Sequence, residues 1–129
     1  MNETNTGFMN YIGGISLKKI DKNNYEFSVI VKEIHLNSGK IAHGGFLTTI
    51  ADTGMGTAAH MLVESSRCVT ISLDIKFISA ALLNQALIGN VKIHKKTKSL
   101  IFITCEILNS ESIVATASGV WKILRPLKN

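Results

Sequence analysis

His43-Gly44-Gly45-Phe46-Leu47-Thr48-Thr49-Ile50-Ala51-Asp52-Thr53-Gly54-Met55-Gly56-Thr57-Ala58-Ala59-His60-Met61-Leu62-Val63 is an apolar run rich in Gly and Ala, with Asp52 as its single carboxylate. Such a run is too long for a buried strand and reads as a helix. Burying a carboxylate without partners costs several kcal/mol, so Asp52 needs a reason to be there. On a helical wheel its neighbours are Gly45, Thr48, Thr49, Met55, Gly56 and Ala59, most of them small. Small residues let a ligand or another surface approach the backbone, but they equally suit a helix packed tightly on a strand. Gly44 and Gly45 open the first turn, where unpaired N–H groups and the positive end of the helix dipole favour negative charge.

Downstream the pattern changes to period two. Val69, Ile71, Leu73, Ile75 and Phe77 alternate with Thr70, Ser72, Asp74 and Lys76. Leu87, Val91 and Ile93 follow, then Ile101, Ile103, Cys105 and Ile107, then Ile113, Ala115, Ala117, Gly119 and Trp121. Turns fall at 95–99 and 109–111, so four successive strands are expected to form an antiparallel meander. Upstream, strands are expected near 15–20 and 25–34, joined by Asp21-Lys22-Asn23-Asn24. A short amphipathic helix over 3–12 would turn Phe8, Met9 and Ile12 inward and end at Gly13-Gly14. The expected class is α+β, with one long central helix wrapped by a six-stranded antiparallel sheet. The sheet's outer face carries Ile78, Ile88, Phe102, Leu108 and Val120, which predicts self-association.

The 129 residues suit a single domain over 1–129, and a hydrophobic content of 46% with one Pro fits a packed core. Cys68 and Cys105 lack CxxC spacing and read as core thiols, which suits a cytoplasmic protein. The opening residues lack the charged start and apolar core of a signal peptide. Asp52 in mid-run, with Thr and Gly around it, argues against a membrane span over 41–63. The formal charge of +5 is scattered apart from Lys92, Lys95, Lys96 and Lys98, and no aromatic-rich nucleic-acid motif accompanies it. That cluster is either a solvated hairpin turn or a site for ligand phosphates. His35, His60 and His94 show no metal spacing, and no nucleophile elbow or Gly-x-Gly-x-x-Gly is present, so no metal and no cofactor are expected.

The segment Asn37-Ser38-Gly39-Lys40-Ile41-Ala42-His43-Gly44-Gly45, with Asp52 nine positions after His43, resembles the hot-dog-fold acyl-CoA thioesterases of the phenylacetate-degradation type. Ile71-Ser72-Leu73-Asp74-Ile75-Lys76-Phe77 looks like that family's next strand, and the resemblance spans roughly residues 8–124. It implies hydrolysis of an acyl-CoA, with coenzyme A as part of the substrate. It also implies a homodimer at least, with a homotetramer as the expected assembly. The family's roles place the Gly44 N–H on the thioester carbonyl oxygen and make Asp52 the general base or nucleophile. Asn37 and His43 would position the carbonyl or the water, and Ser72 would orient the water beside Asp52. Gly45, Thr49, Thr70 and Lys98 are the expected substrate contacts. The site would lie between subunits, with Asp52 and Ser72 of one chain facing Asn37, His43 and Gly44 of the other.

Two stretches depart from the pattern: Ile78-Ser79-Ala80-Ala81 lacks the usual polar spacer and Pro, and Lys96-Thr97-Lys98-Ser99 lacks the usual hairpin Gly. A hot-dog dehydratase is the nearest enzymatic alternative, since His43 with an acid could move two protons. A non-catalytic acyl-CoA-binding regulator is the alternative from another class.

Overall fold

A computed structural model describes residues 3–64 and 66–125. The domain expected over 1–129 therefore includes residues 1, 2, 65 and 126–129, which lie outside the described residues. Two short turns of helix, a 3₁₀ turn at Glu3–Asn5 and α1 at Gly7–Tyr11, open the chain. The strands are β1 (Ser16–Asp21), β2 (Asn24–Ile30), β3 (Arg67–Phe77), β4 (Ala86–Lys96), β5 (Leu100–Leu108) and β6 (Ile113–Leu124). Between β2 and β3 lie a 3₁₀ turn at Glu33–His35 and the long helix α2 at Gly44–Val63. The six strands form one antiparallel sheet in the order β1-β2-β4-β5-β6-β3.

The expected helix and strands are therefore present, but the four-strand meander is only three strands long. β3 pairs with β6, and β4 pairs with β2, so the segment between β3 and β4 crosses over. The early helix also differs, because Thr6 separates the 3₁₀ turn from α1, whose first residue, Gly7, has φ +54°. Of its expected inward residues, Met9 is buried and Phe8 is exposed. β2 stops at Ile30, since Glu33–His35 winds into the 3₁₀ turn that buries His35.

The sheet covers α2 on several sides, burying Phe46, Leu47, Ile50, Ala51, Gly54, Met55, Ala58 and Ala59. Phe27 shows how closely helix and sheet approach. Its ring fills the places where Gly54 on α2 and Gly89 on β4 would carry Cβ atoms, 2.4 and 2.1 Å from ring carbons. His35 fastens the approach to α2. Its Nδ1 accepts the Lys32 N–H at 2.9 Å, its Nε2–H donates to the Ile12 carbonyl at 2.7 Å, and its ring stacks on Phe46. The His35 carbonyl also accepts the His43 N–H at 2.8 Å, so the start of α2 is tied to the N-terminal segment. No helix among the described residues is long and apolar enough to cross a membrane.

Candidate active site

His43 is the N-cap of α2, and its Nδ1 accepts the Gly45 N–H at 2.8 Å. That satisfies one orphan donor of the helix start. The Gly44 N–H has no acceptor among the described residues, so it stays available at the positive end of the helix. A Cβ on Gly44 would sit 3.3 Å from the Phe77 ring, which leans over this turn. Asn37 shapes the preceding loop, its Oδ1 accepting the N–H groups of Gly39 (2.9 Å) and Ile41 (3.3 Å). Asn37, Gly44, Leu47 and Phe77 line a small cleft of about 300 Å³ with the crossover segment 78–81.

Asp52, two turns further along α2, is half-buried and faces a different and larger cleft. Its Oδ1 accepts the Thr70 hydroxyl at 2.7 Å, and Oδ2 has no partner among the described residues. The cleft measures about 1270 Å³ and runs from Asp52 and Thr70 past Thr53, Gly56 and Trp121 to His60, Met61 and Arg67. Gly44 and Asp52 lie eight residues apart on one helix, a rise of about 12 Å. A single chain therefore holds the acid and the amide in separate clefts.

Ser72 does not stand beside Asp52. A bulge at Ile71 shifts the β3–β6 register, so that Thr70 pairs with Trp121 and Ser72 with Val120. Directly opposed residues share a face. Thr70 therefore lies on the helix side with the buried Trp121, and Ser72 faces away from it. Thr70, expected as a substrate contact, is instead the residue that holds the carboxylate. Thr49 donates its hydroxyl to the Gly45 carbonyl at 2.8 Å. Lys98 lies in the exposed turn between β4 and β5 and lines neither cleft, and His43, Gly45 and Thr49 line neither as well.

The residues around Asp52 divide between the two roles left open above. Met55 and Ala59 are buried in the core, whereas Gly56 borders the cleft against the Trp121 indole. The alternation of β6 marks Trp121 as core, which conceals its place in the cleft wall. Both cysteines are buried, and burial pushes the Cys105 thiol up to about 12 and raises that of Cys68. Neither is poised as a thiolate nucleophile.

The long helix wrapped by this sheet is the hot-dog fold, and comparison with solved structures agrees. A hypothetical thioesterase of Streptococcus pneumoniae, solved with coenzyme A, superposes with a TM-score of 0.80 at 21% identity over 86% of each chain. The Escherichia coli PaaI protein of the phenylacetic acid degradation operon superposes at 0.82, with 21% identity over 90% of this chain and 83% of that one. The Thioesterase superfamily profile matches residues 39–116, which include every residue of both α2 and β3. This chain belongs to the Thioesterase superfamily. A Pseudomonas aeruginosa protein, provisionally named an esterase, is 33% identical over 94 residues, covering 72% of this chain and 70% of the relative.

Proposed function

We propose that this protein is an acyl-CoA thioesterase whose active site forms between two copies of the chain. The observation that carries the reading is the state of Asp52: one oxygen is held by Thr70, and the other is unengaged in a large cleft. A thioester is activated by a hydrogen-bond donor at its carbonyl oxygen and by a nucleophile at its carbonyl carbon. The Gly44 N–H would supply the donor chemistry, and its offset of about 12 Å from Asp52 along the helix supports its coming from a second copy.

The exposed edge of β3 offers a route to that assembly. β3 is an end strand of 11 residues, and Val69, Ile71 and Phe77 on it are large, apolar and exposed. An unpaired edge of this kind is a template for a strand from another chain. Pairing there would bring the two α2 helices toward one another and cover the apolar side chains. The expected homotetramer then needs a second contact, for which the half-buried Ile88, Phe102 and Val120 on the outer sheet face are the candidates.

In the base route, Asp52 Oδ2 takes a proton from water as the water oxygen bonds to the thioester carbon. The carbon–sulfur bond then breaks, and the proton passes to the departing thiolate of coenzyme A. In the nucleophile route, Oδ2 bonds to the carbon itself, and the carbon–sulfur bond breaks as coenzyme A leaves as its thiolate. Water then cleaves the resulting anhydride to the free acid and the Asp52 carboxylate, its spare proton passing to the thiolate. Single-turnover hydrolysis in ¹⁸O water separates the two, because only the second leaves label in the protein. Asn37 would help to place the carbonyl beside Gly44, and the lysines of β4 with Lys98 offer positive charge for the phosphates of coenzyme A.

The test is thiol release from a panel of short, long and aromatic acyl-CoAs, with Asp52→Asn run alongside. Loss of the base should lower kcat by about 10² to 10⁴. Wild-type protein that binds acyl-CoA and releases no thiol would contradict hydrolysis.

A further inference from the structure

Trp121 is the only tryptophan in the chain and keeps 1% of its surface exposed. Buried indoles ordinarily give their N–H a hydrogen-bond partner. Here Nε1 has no acceptor among the described residues, yet none of their buried side-chain polar atoms is left unsatisfied. Both statements hold only if the nitrogen itself keeps some exposure, and Trp121 is among the residues that wall the Asp52 cleft.

The ring is placed for this. Its six-membered edge lies where a Cβ on Gly119 would be, 2.6 Å from Cζ3, so Gly119 gives the indole its slot. At the other end, Nε1 lies 3.3 Å from where a Gly56 Cβ would be, so the absent side chain leaves a gap beside the nitrogen on the cleft side of the helix. Gly56 follows Asp52 by four residues, about 6 Å along the helix. The unpaired donor therefore stands about one helical turn from the carboxylate, in the same cleft. Thr53, Thr57 and His60 continue this wall, so the space beyond Asp52 is not a purely apolar tunnel.

We infer that the Asp52 cleft selects acyl groups carrying a hydrogen-bond acceptor, such as a keto oxygen, about one helical turn from the thioester carbonyl, and that the Trp121 Nε1–H reads that acceptor. The inference rests on the thioesterase reading for the placement of the acyl group. A plain hydrocarbon chain in the same position would strip water from the indole N–H and return no bond, whereas an acceptor-bearing chain restores it.

The experiment compares hexanoyl-CoA with 5-oxohexanoyl-CoA, which differ only in the oxygen at the fifth carbon. Calorimetric binding to Asp52→Asn measures preference without turnover, and kcat/KM of the Asp52 protein measures it with turnover. Preference for the oxo compound by about threefold to tenfold supports the inference. Trp121→Phe, which keeps an aromatic ring and deletes the donor, should bring the ratio to about one. Gly56→Ala provides a second variant that favours helix formation and sets a methyl against Nε1. It should reduce the same ratio, which guards against a folding defect in Trp121→Phe.

Equal affinity for the two thioesters in the Asp52→Asn protein overturns the inference, as does a preference that survives both substitutions. Hydrolysis of both thioesters at equal rates overturns it while leaving the thioesterase reading intact. A calorimetric preference without thiol release removes the thioesterase reading and retains the recognition by Trp121.

Discussion

Thr70 donates to Asp52 Oδ1 at 2.7 Å and so leaves Oδ2 as the carboxylate oxygen without a partner among the described residues. Replacing it with Val keeps the shape and removes the donor. A hydrogen bond to a charged group contributes about 1.5 to 3 kcal/mol when shielded, and exposure of this pair to the cleft reduces that. We expect Thr70→Val to lower kcat about tenfold with little change in KM, and Thr70→Ser to restore most of it. Steady-state kinetics on the three proteins check this, and a Val variant with wild-type kcat would remove the positioning role. Asp52 and Gly44 stand out in the sequence because an acid in an apolar helix and Gly-Gly at its start are chemically conspicuous, whereas Asn37 enters only through the family resemblance. The choice between Thr70 and Ser72 was not legible. It turns on one bulged residue, Ile71, and a bulge leaves no mark in an alternating pattern. Trp121 was hidden for a different reason: periodicity reports that a side chain points inward, not where its one polar atom points.

The elements themselves follow from local sequence, and their pairing does not. Each strand announces itself by alternation, and α2 by its length and lack of a polar stripe. The order of strands depends on which edges meet after collapse, so the crossover that takes β3 to the side of β6 has no local signal. The packing of α2 on the sheet makes its own prediction. Phe27 occupies the space of two absent Cβ atoms, and Gly89→Ala would place a methyl 2.1 Å from its ring. Overpacking of this kind costs about 1 to 3 kcal/mol. Urea unfolding should show that loss in the midpoint with an unchanged slope, and a variant of wild-type stability would mean that the ring moves aside freely.

At the scale of the whole molecule, the proposed reading leaves the single chain incomplete in two respects that share a remedy. Its acid and its free amide face separate clefts, and its β3 edge is long, apolar and unpaired. Ile71, 56% exposed on that edge, is the place to test assembly. Ile71→Lys puts a charge where another strand would pair, and charged edge residues block such pairing. Sedimentation should show a shift toward monomer, with thioesterase activity falling in parallel. A monomeric variant that kept full activity would place the whole site within one chain.

The most direct measurement mixes two inactive proteins. Asp52→Asn removes the proposed base or nucleophile, and Gly44→Pro removes the amide proton at a helix position that accepts proline, following a residue already extended at ψ 137°. Each alone should lose at least about 10² in kcat. In a dimer formed from one chain of each kind, one of the two shared sites receives both an intact Asp52 and an intact Gly44. Coexpression of the two should therefore recover about a quarter of wild-type activity, since half the dimers are mixed and half their sites are whole. Recovery at that level is the predicted result, and mixed dimers as inactive as their parents would contradict a site shared between chains.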